Sequence, residues 1–278
     1  MNKIIQFPVI RILIAMLFVG VGIAIGQIIL NLLRSVFSIT NTGIANILAF
    51  VLITPITYFS YAQYVRLVEK RGLTELSSSD ALQEFGLGFL VGFGLFASVI
   101  LILWLLGYYR VNGFEFILLS LMGVLLGAFV SALAQELIFR AVIYRITEEW
   151  LGTWWAVAIS AILFGLIHLS SAGATIFSTI AVALQAGVIL AAVYTLTHRL
   201  WMALGLHMAW DFANDGVFGV GIAGQSGETL RGLFQSSLDG PELLTGVIVL
   251  LAGIAILWLA MQNGQFIHRQ EANQRLSQ

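Results

Sequence analysis

Long apolar runs separated by short polar connections make up most of the sequence. Most of them reach or approach the roughly 20 residues that a helix needs to cross a bilayer. The pattern therefore predicts an all-α fold: a polytopic membrane protein with an eight-transmembrane-helix bundle, forming one membrane domain over residues 1–278. No helix breaker follows the fourth run, so its helix is predicted to continue to about residue 147. The predicted spans are 12–33, 44–64, 85–106, 114–139, 153–169, 175–197, 201–217 and 242–262.

Composition agrees with this class and excludes others. Apolar residues make up 59% of the chain and charged residues 10%, whereas soluble domains average about 25% charged residues. The formal net charge of -1 gives no basic field for nucleic acid, so no nucleic-acid partner is expected. The chain has no cysteine, which excludes disulfides, thiolate catalysis and cysteine-ligated metal centres.

Lysine and arginine residues fall mainly on one side of the predicted spans. Because cytoplasmic loops carry the excess of these residues, the sequence predicts a multi-pass protein of the cell membrane with cytoplasmic N- and C-termini. The predicted cytoplasmic residues are Lys3, Arg11, Arg66, Lys70, Arg71, Arg140, Arg145, Arg199, Arg269 and Arg275. Those on the opposite side are Arg34, Arg110 and Arg231.

Two connections are longer than the others. Residues 65–84 mix charges with leucines, which predicts an amphipathic segment on the cytoplasmic surface with its charges in water. Residues 216–240 are rich in glycine and are interpreted as a mobile cap or a re-entrant piece. Within the spans, glycine pairs at 22/26 and 88/92 are spaced for close approach of neighbouring helices.

A few polar side chains lie within the predicted spans, where ionisable groups are costly and usually mark function. They are Gln135, Glu136, Arg140, His168, Gln185, His207 and Asp211. Glu136 and Arg140 are four residues apart, as are His207 and Asp211, so each pair shares one helix face. Helix rise brings these positions to compatible depth, and the sequence predicts one shared site in the cytoplasmic half of the bundle.

Three kinds of chemistry fit such a cluster. A desolvated carboxylate with a histidine can activate water, while a second histidine stabilises an oxyanion; together these groups would hydrolyse a membrane-embedded or lipidated substrate. Glu136, His168 and His207 could instead hold a divalent metal such as zinc. The same groups could also relay protons in a transporter, although no inverted repeat with paired broken helices is visible in the sequence.

The order QELIFR, FGLIH and HMAWD resembles the three motifs EExxxR, FxxxH and HxxxN/D of the CPBP family, the CAAX-protease and bacteriocin-processing membrane proteins. The resemblance covers about 131–215 and implies an intramembrane endopeptidase of the glutamic type, similar to the eukaryotic CAAX prenyl protease. It implies that His168 activates water together with the first glutamate of the family motif. His207 and Asp211 would form the oxyanion pocket, and Glu136 with Arg140 would be the second acid and its arginine. No cofactor is expected, and the expected partners are membrane lipid and a membrane-associated or lipidated peptide.

Position 135 departs from the family pattern, because this chain has Gln135 where the family has the first glutamate. An amide cannot accept a proton from water. Three explanations follow: a glutamate-to-glutamine trap of an active enzyme, a natural non-catalytic relative that keeps the pocket for binding or immunity, or a takeover of the base role by Glu136. Asp211, where asparagine is common, is a milder departure that makes the oxyanion pocket more negative.

Overall fold

The computed structural model describes residues 7–171, 174–220 and 233–238, together with residues 254, 255, 258 and 262. This part of the chain is mostly helical. The eighth predicted span, 242–262, and most of the glycine-rich connection at 216–240 lie outside the described residues.

Six helices in the described part are long and apolar enough to cross a membrane. They are α1 (Pro8–Val36), α2 (Thr42–Glu69), α3 (Ala81–Leu105), α4 (Leu118–Leu151), α5 (Thr153–Ser170) and α6 (Ile176–Thr197). A seventh helix, α7, covers Leu200–Asp211 and continues as a π-helical turn over Phe212–Val217. The six helices agree with the first six predicted spans, and the fourth helix continues past residue 147, as predicted.

The predicted total of eight spans is not confirmed. The α7 helix coincides with the predicted span 201–217, but it is not among the six candidates because it carries several polar side chains. They are His207, Asp211, Asn214 and Asp215.

Two short strands, which the sequence pattern does not predict, add a small antiparallel sheet. The first strand, β1, is Tyr109–Phe114, and the second, β2, is Phe234–Leu238. The Tyr109 hydroxyl donates a hydrogen bond to the Phe218 carbonyl at 2.9 Å, so the sheet also contacts the end of α7.

The helices alternate in direction, so the bundle has two distinct ends. At the charged end, Arg11 near the start of α1 lies 2.7 Å from Glu69 at the end of α2 and 2.7 Å from Glu149 near the end of α4. At the opposite end, the start of α2 packs on the start of α4, where a Cβ on Gly123 would meet the Gly43 backbone.

Close packing of α3 on α7 fixes the helix that carries the third motif. A Cβ added to Gly88 would meet the Met202 carbonyl, and one added to Gly92 would meet the Leu206 backbone. The 88/92 glycine pair therefore allows backbone contact between the two helices, as its spacing predicts. Gly22 and Gly26 allow the same close approach of α1 to α2.

Two carboxylates of segment 65–84 are buried, which corrects the prediction that its charges all lie in water, although Arg66, Lys70 and Asp80 are exposed as predicted. Glu69 and Glu75 have side chains only 3% and 1% exposed, and Arg71 bonds to both of them. Arg145 of α4 also reaches Glu69 at 2.7 Å. The Tyr61 hydroxyl donates to Glu75. These contacts tie the α2–α3 connection to α4, because a buried carboxylate requires cationic and hydrogen-bonding partners.

Glu75 provides a test of this ion-pair cluster. Burial raises the pKa of Glu75, but hydrogen bonds from Arg71 and Tyr61 outweigh burial, so its pKa lies below the usual value. A lowered pKa in the folded state gives stability that is present above the unfolded pKa, at about 4.3, and is lost as pH falls. Glu75→Gln should therefore lower the free energy of unfolding at pH 7 by about 3 kcal/mol, and the difference from wild type should narrow below about pH 4.

Thermal unfolding in detergent across a pH series measures this difference. The matched control is Glu149→Gln, because the Glu149 side chain is 46% exposed and pairs with Arg11 and Arg145 at the surface. The control should lose less than about 1 kcal/mol. Equal losses in both variants would contradict the structural role assigned to Glu75.

Candidate active site

The first motif lies where α4 changes from α-helical to π-helical. Glu136 is the last α-helical residue before the π-helical turn Leu137–Tyr144, which contains Arg140. Such turns often mark functional sites, because the extra residue in the turn re-aims the side chains around it. Here Gln135 lines a cavity, whereas the neighbouring Glu136 is fully buried among other side chains.

Glu136 and Arg140 form a buried ion pair, as the spacing of four residues predicts. Arg140 Nη1 donates to Glu136 Oε1 at 3.1 Å, and both side chains are 0% exposed. Arg140 Nη2 lies 3.4 Å from the Ala186 carbonyl and 3.2 Å from the Gly187 carbonyl on α6. The guanidinium also lies over the Phe164 ring, 4.7 Å from its centroid. Four contacts from three helices therefore position this one cation.

His207 extends the pair into a chain of charged groups. Its Nδ1 lies 2.7 Å from Glu136 Oε1, and its Nε2 lies 3.7 Å from Asp211 Oδ2. The Nδ1 proton points to a carboxylate, which accepts, so the ring donates on that side. His207 is thus placed between two carboxylates, and it is also one of the residues that line the cavity.

His168 has one ring nitrogen assigned by its hydrogen bond. Its Nδ1 lies 2.7 Å from the Phe164 carbonyl, one turn earlier on α5. A carbonyl oxygen can only accept, so Nδ1 carries the proton and the neutral ring keeps its lone pair on Nε2. The Phe164 ring lies between the two histidines, with centroids 5.0 Å from His168 and 5.7 Å from His207.

A cavity of about 410 Å³ collects most of the predicted site residues. Its polar lining consists of Asn46, Ser131, Gln135, His168, Ser171, His207, Asp211 and Asp215. Gln135 Nε2 donates to Ser131 Oγ at 2.9 Å, and within the described residues its buried Oε1 has no hydrogen-bond partner. Gln185 is half-buried on α6 and is not part of the cavity lining.

Several residues of this cavity were not predicted from the sequence. Asp215 lies four residues after Asp211, so the spacing rule that pairs His207 with Asp211 also brings Asp215 to the same wall. Asn46 comes from α2, far from the motifs in sequence, and a lone asparagine there gives no signal. Ser131 lies one turn before Gln135, and a single small polar residue in a helix gives no signal either.

Among the described residues, no three histidine or carboxylate side chains are arranged so that they could hold a metal ion together. The expected set of Glu136, His168 and His207 does not form such a group, and Glu136 Oε1 is instead hydrogen-bonded to Arg140 and to His207 Nδ1. The reaction proposed below therefore uses no metal ion.

Comparison with known families identifies the domain. Residues 117–213, about a third of the chain, match the family described as Rce1-like, type II CAAX prenyl endopeptidase Rce1-like. The matched segment contains all three motifs with their site residues. The chain therefore carries a domain of the CPBP/CAAX-protease family, a family of proteases, as the sequence motifs predict. Comparisons with curated proteins and with solved structures find no match.

Substitutions at Glu136 test whether the ion pair is structural. Glu136→Gln leaves the Arg140 charge buried without its carboxylate, and we expect a loss of about 3–5 kcal/mol in the free energy of unfolding. Adding Arg140→Met removes the stranded charge and should recover most of that loss. Unfolding of purified wild type, single variant and double variant in detergent measures both effects. A double variant no more stable than the single one would show that the stranded charge is not the cause.

Proposed function

We propose that this protein is an intramembrane endopeptidase of the CAAX-protease type that hydrolyses a peptide bond in a membrane-associated or lipidated peptide. One observation supports this proposal most strongly: a cavity among apolar helices brings His168, His207 and Gln135 together within a domain of a protease family. In this proposal the protein has eight spans, with 242–262 as the last, and both termini lie in the cytoplasm.

The proposed reaction uses His168 as the proton acceptor. The Nε2 lone pair of His168 accepts a proton as water oxygen attacks the peptide carbonyl carbon, and the carbonyl π electrons move to oxygen. The same proton then goes to the peptide nitrogen as the carbon–nitrogen bond breaks. Gln135 Oε1 accepts a hydrogen bond from the attacking water and holds it in place.

His207 is the proposed oxyanion stabiliser. Its Nδ1 donates to Glu136, so donation from Nε2 as well requires a doubly protonated ring. The carboxylates of Glu136 and Asp211 on its two sides compensate the positive charge of such a ring. A preorganised cationic donor aimed at the developing oxyanion stabilises the transition state more than the ground state. Asp211 thereby acts on the oxyanion through His207.

Gln135 favours a second candidate, a non-catalytic binding or immunity-type membrane protein that keeps the same cavity. An amide at this position can hold water or a substrate carbonyl but cannot remove a proton. In this alternative the cavity binds a hydrophobic peptide without cutting it. The cleavage assay with Gln135→Glu protein, described next, separates the two candidates.

Gln135→Glu should increase cleavage of a membrane-associated peptide, because it adds a carboxylate beside His168 in the cavity. His168→Ala in the Gln135→Glu background should abolish cleavage. General-base groups contribute about 10²–10⁴-fold to rate, so both changes should be measurable as initial rates with a fluorogenic peptide in detergent or liposomes.

The matched control is His198→Ala, because His198 lies between α6 and α7 and bonds to Glu148 at the charged end, away from the cavity. It should leave cleavage unchanged. Peptide that binds but is never cut, even with glutamate at 135, would favour the binding protein. Cleavage that stops when a chelator is added would overturn the metal-free reaction.

Asp215 lines the same cavity as His168, His207 and Asp211, and we propose that its negative charge favours a protonated histidine in that cavity. Asn214 donates to Asp215 Oδ1 at 2.7 Å, which fixes the carboxylate on the cavity wall. Asp215→Asn should therefore lower kcat by at least about tenfold with little change in KM. The control Asp80→Asn alters an exposed carboxylate at the charged end. A KM effect alone would show that Asp215 binds substrate instead.

A further inference from the structure

The cavity lies at the end of the bundle opposite the charged end. His168 is in the last turn of α5, and Ser171 follows that helix directly. On α7, the lining residues Asp211 and Asp215 are also near the helix end. Asn46 is close to the beginning of α2, which runs in the other direction. The helix ends around the cavity therefore all belong to one side of the bundle.

The sequence prediction placed the site in the same half of the bundle as most basic residues, whereas the structure places the cavity at the other end. Glu136 and His168 lie at similar distances along their helices from the turn at Gly152, so helix rise gives them a matching height. The matching height is right, but α5 ends at Ser170, so His168 is almost the full length of α5 away from Gly152. The site is thus far from the end at which Arg11, Glu69 and Arg145 meet.

Basic residues in the described connections and helix ends concentrate at the charged end. Those at the charged end are Arg11, Arg66, Lys70, Arg71, Arg145 and Arg199, and those at the cavity end are Arg34 and Arg110. Arg140 belongs to neither group, because it is buried in the site. Positively charged residues flanking spans remain on the cytoplasmic side, and acidic partners count little in this rule. The ion pairs at the charged end therefore do not weaken the orientation that the rule gives.

We propose that the cavity opens to the extracytoplasmic side of the membrane and takes its peptide from that side. The substrate class would be a juxtamembrane or membrane-inserted segment of an exported protein. A lipidated tail presented in the cytoplasm would meet the charged end instead. That the cavity has a peptide substrate rests on the proposed function. The side of the membrane to which the cavity opens is independent of catalysis.

Cysteine labelling tests the direction, and the chain suits the method because it contains no cysteine. Three single replacements are placed along the bundle. Thr40→Cys lies in the exposed α1–α2 connection at the cavity end, and Ser78→Cys lies in the exposed α2–α3 connection at the charged end. Ser171→Cys reports on the cavity itself. Each full-length variant is treated with a membrane-impermeant maleimide in intact spheroplasts, in permeabilised spheroplasts and in detergent.

We expect Thr40→Cys and Ser171→Cys to be labelled in intact spheroplasts, and Ser78→Cys only after permeabilisation. The reverse pattern would overturn the proposal, and so would labelling of both loop positions in intact spheroplasts, because the protein would then have no single orientation. Labelling of Thr40→Cys without Ser171→Cys in intact spheroplasts would also overturn it, provided that detergent exposes Ser171→Cys.

Activity assays keep this result separate from the proposed function. If labelling overturns the direction, cleavage by Gln135→Glu protein in detergent still decides whether the protein is a peptidase. If no variant cleaves peptide, labelling still decides which side of the membrane the cavity faces. In that case the proposal reduces to a peptide-binding cavity open to the same side.

Discussion

Burial of one carboxylate, Glu136, determines how the rest of the site is built. Within a bundle of apolar helices its charge requires compensation, and Arg140 and His207 provide it from two sides. Arg140 in turn requires acceptors, which the backbone carbonyls of α6 supply, and an aromatic surface, which Phe164 supplies. Three further helices are thereby fixed relative to α4. The geometry of the cavity wall is in this sense a consequence of satisfying buried charge.

The motif Gln135–Glu136 separates two tasks that lie next to each other in sequence. Glu136 is inside the protein and holds helices together, whereas Gln135 faces the cavity and can meet a substrate. A substitution at position 135 therefore alters the chemistry of the cavity with little effect on packing. A substitution at position 136 disturbs packing and has little direct effect on that chemistry. This division argues against Glu136 as a replacement base, because its side chain is fully buried and does not line the cavity.

Much of the helical framework could be predicted from the sequence, because twenty-residue apolar runs have few alternatives to a membrane helix. The pairings Glu136–Arg140 and His207–Asp211 followed from a spacing of four residues. The buried ion pairs of Glu69 and Glu75 could not be predicted, because charges beside leucines look the same whether they face water or another helix. The β1–β2 sheet was equally hidden, since its strands are more than a hundred residues apart. Asp215 could have been found by extending the same spacing rule by one turn.

The full burial of Arg140 has a consequence for how such proteins change over time. Glutamate and glutamine codons differ by a single nucleotide, so position 135 can alternate between a reactive and an inert side chain by the smallest possible genetic step. Positions 136 and 140 have no comparable freedom, since losing either one leaves the other's charge in an apolar interior. Position 135 is thus open to genetic drift, while the buried pair at 136 and 140 keeps the scaffold around it unchanged.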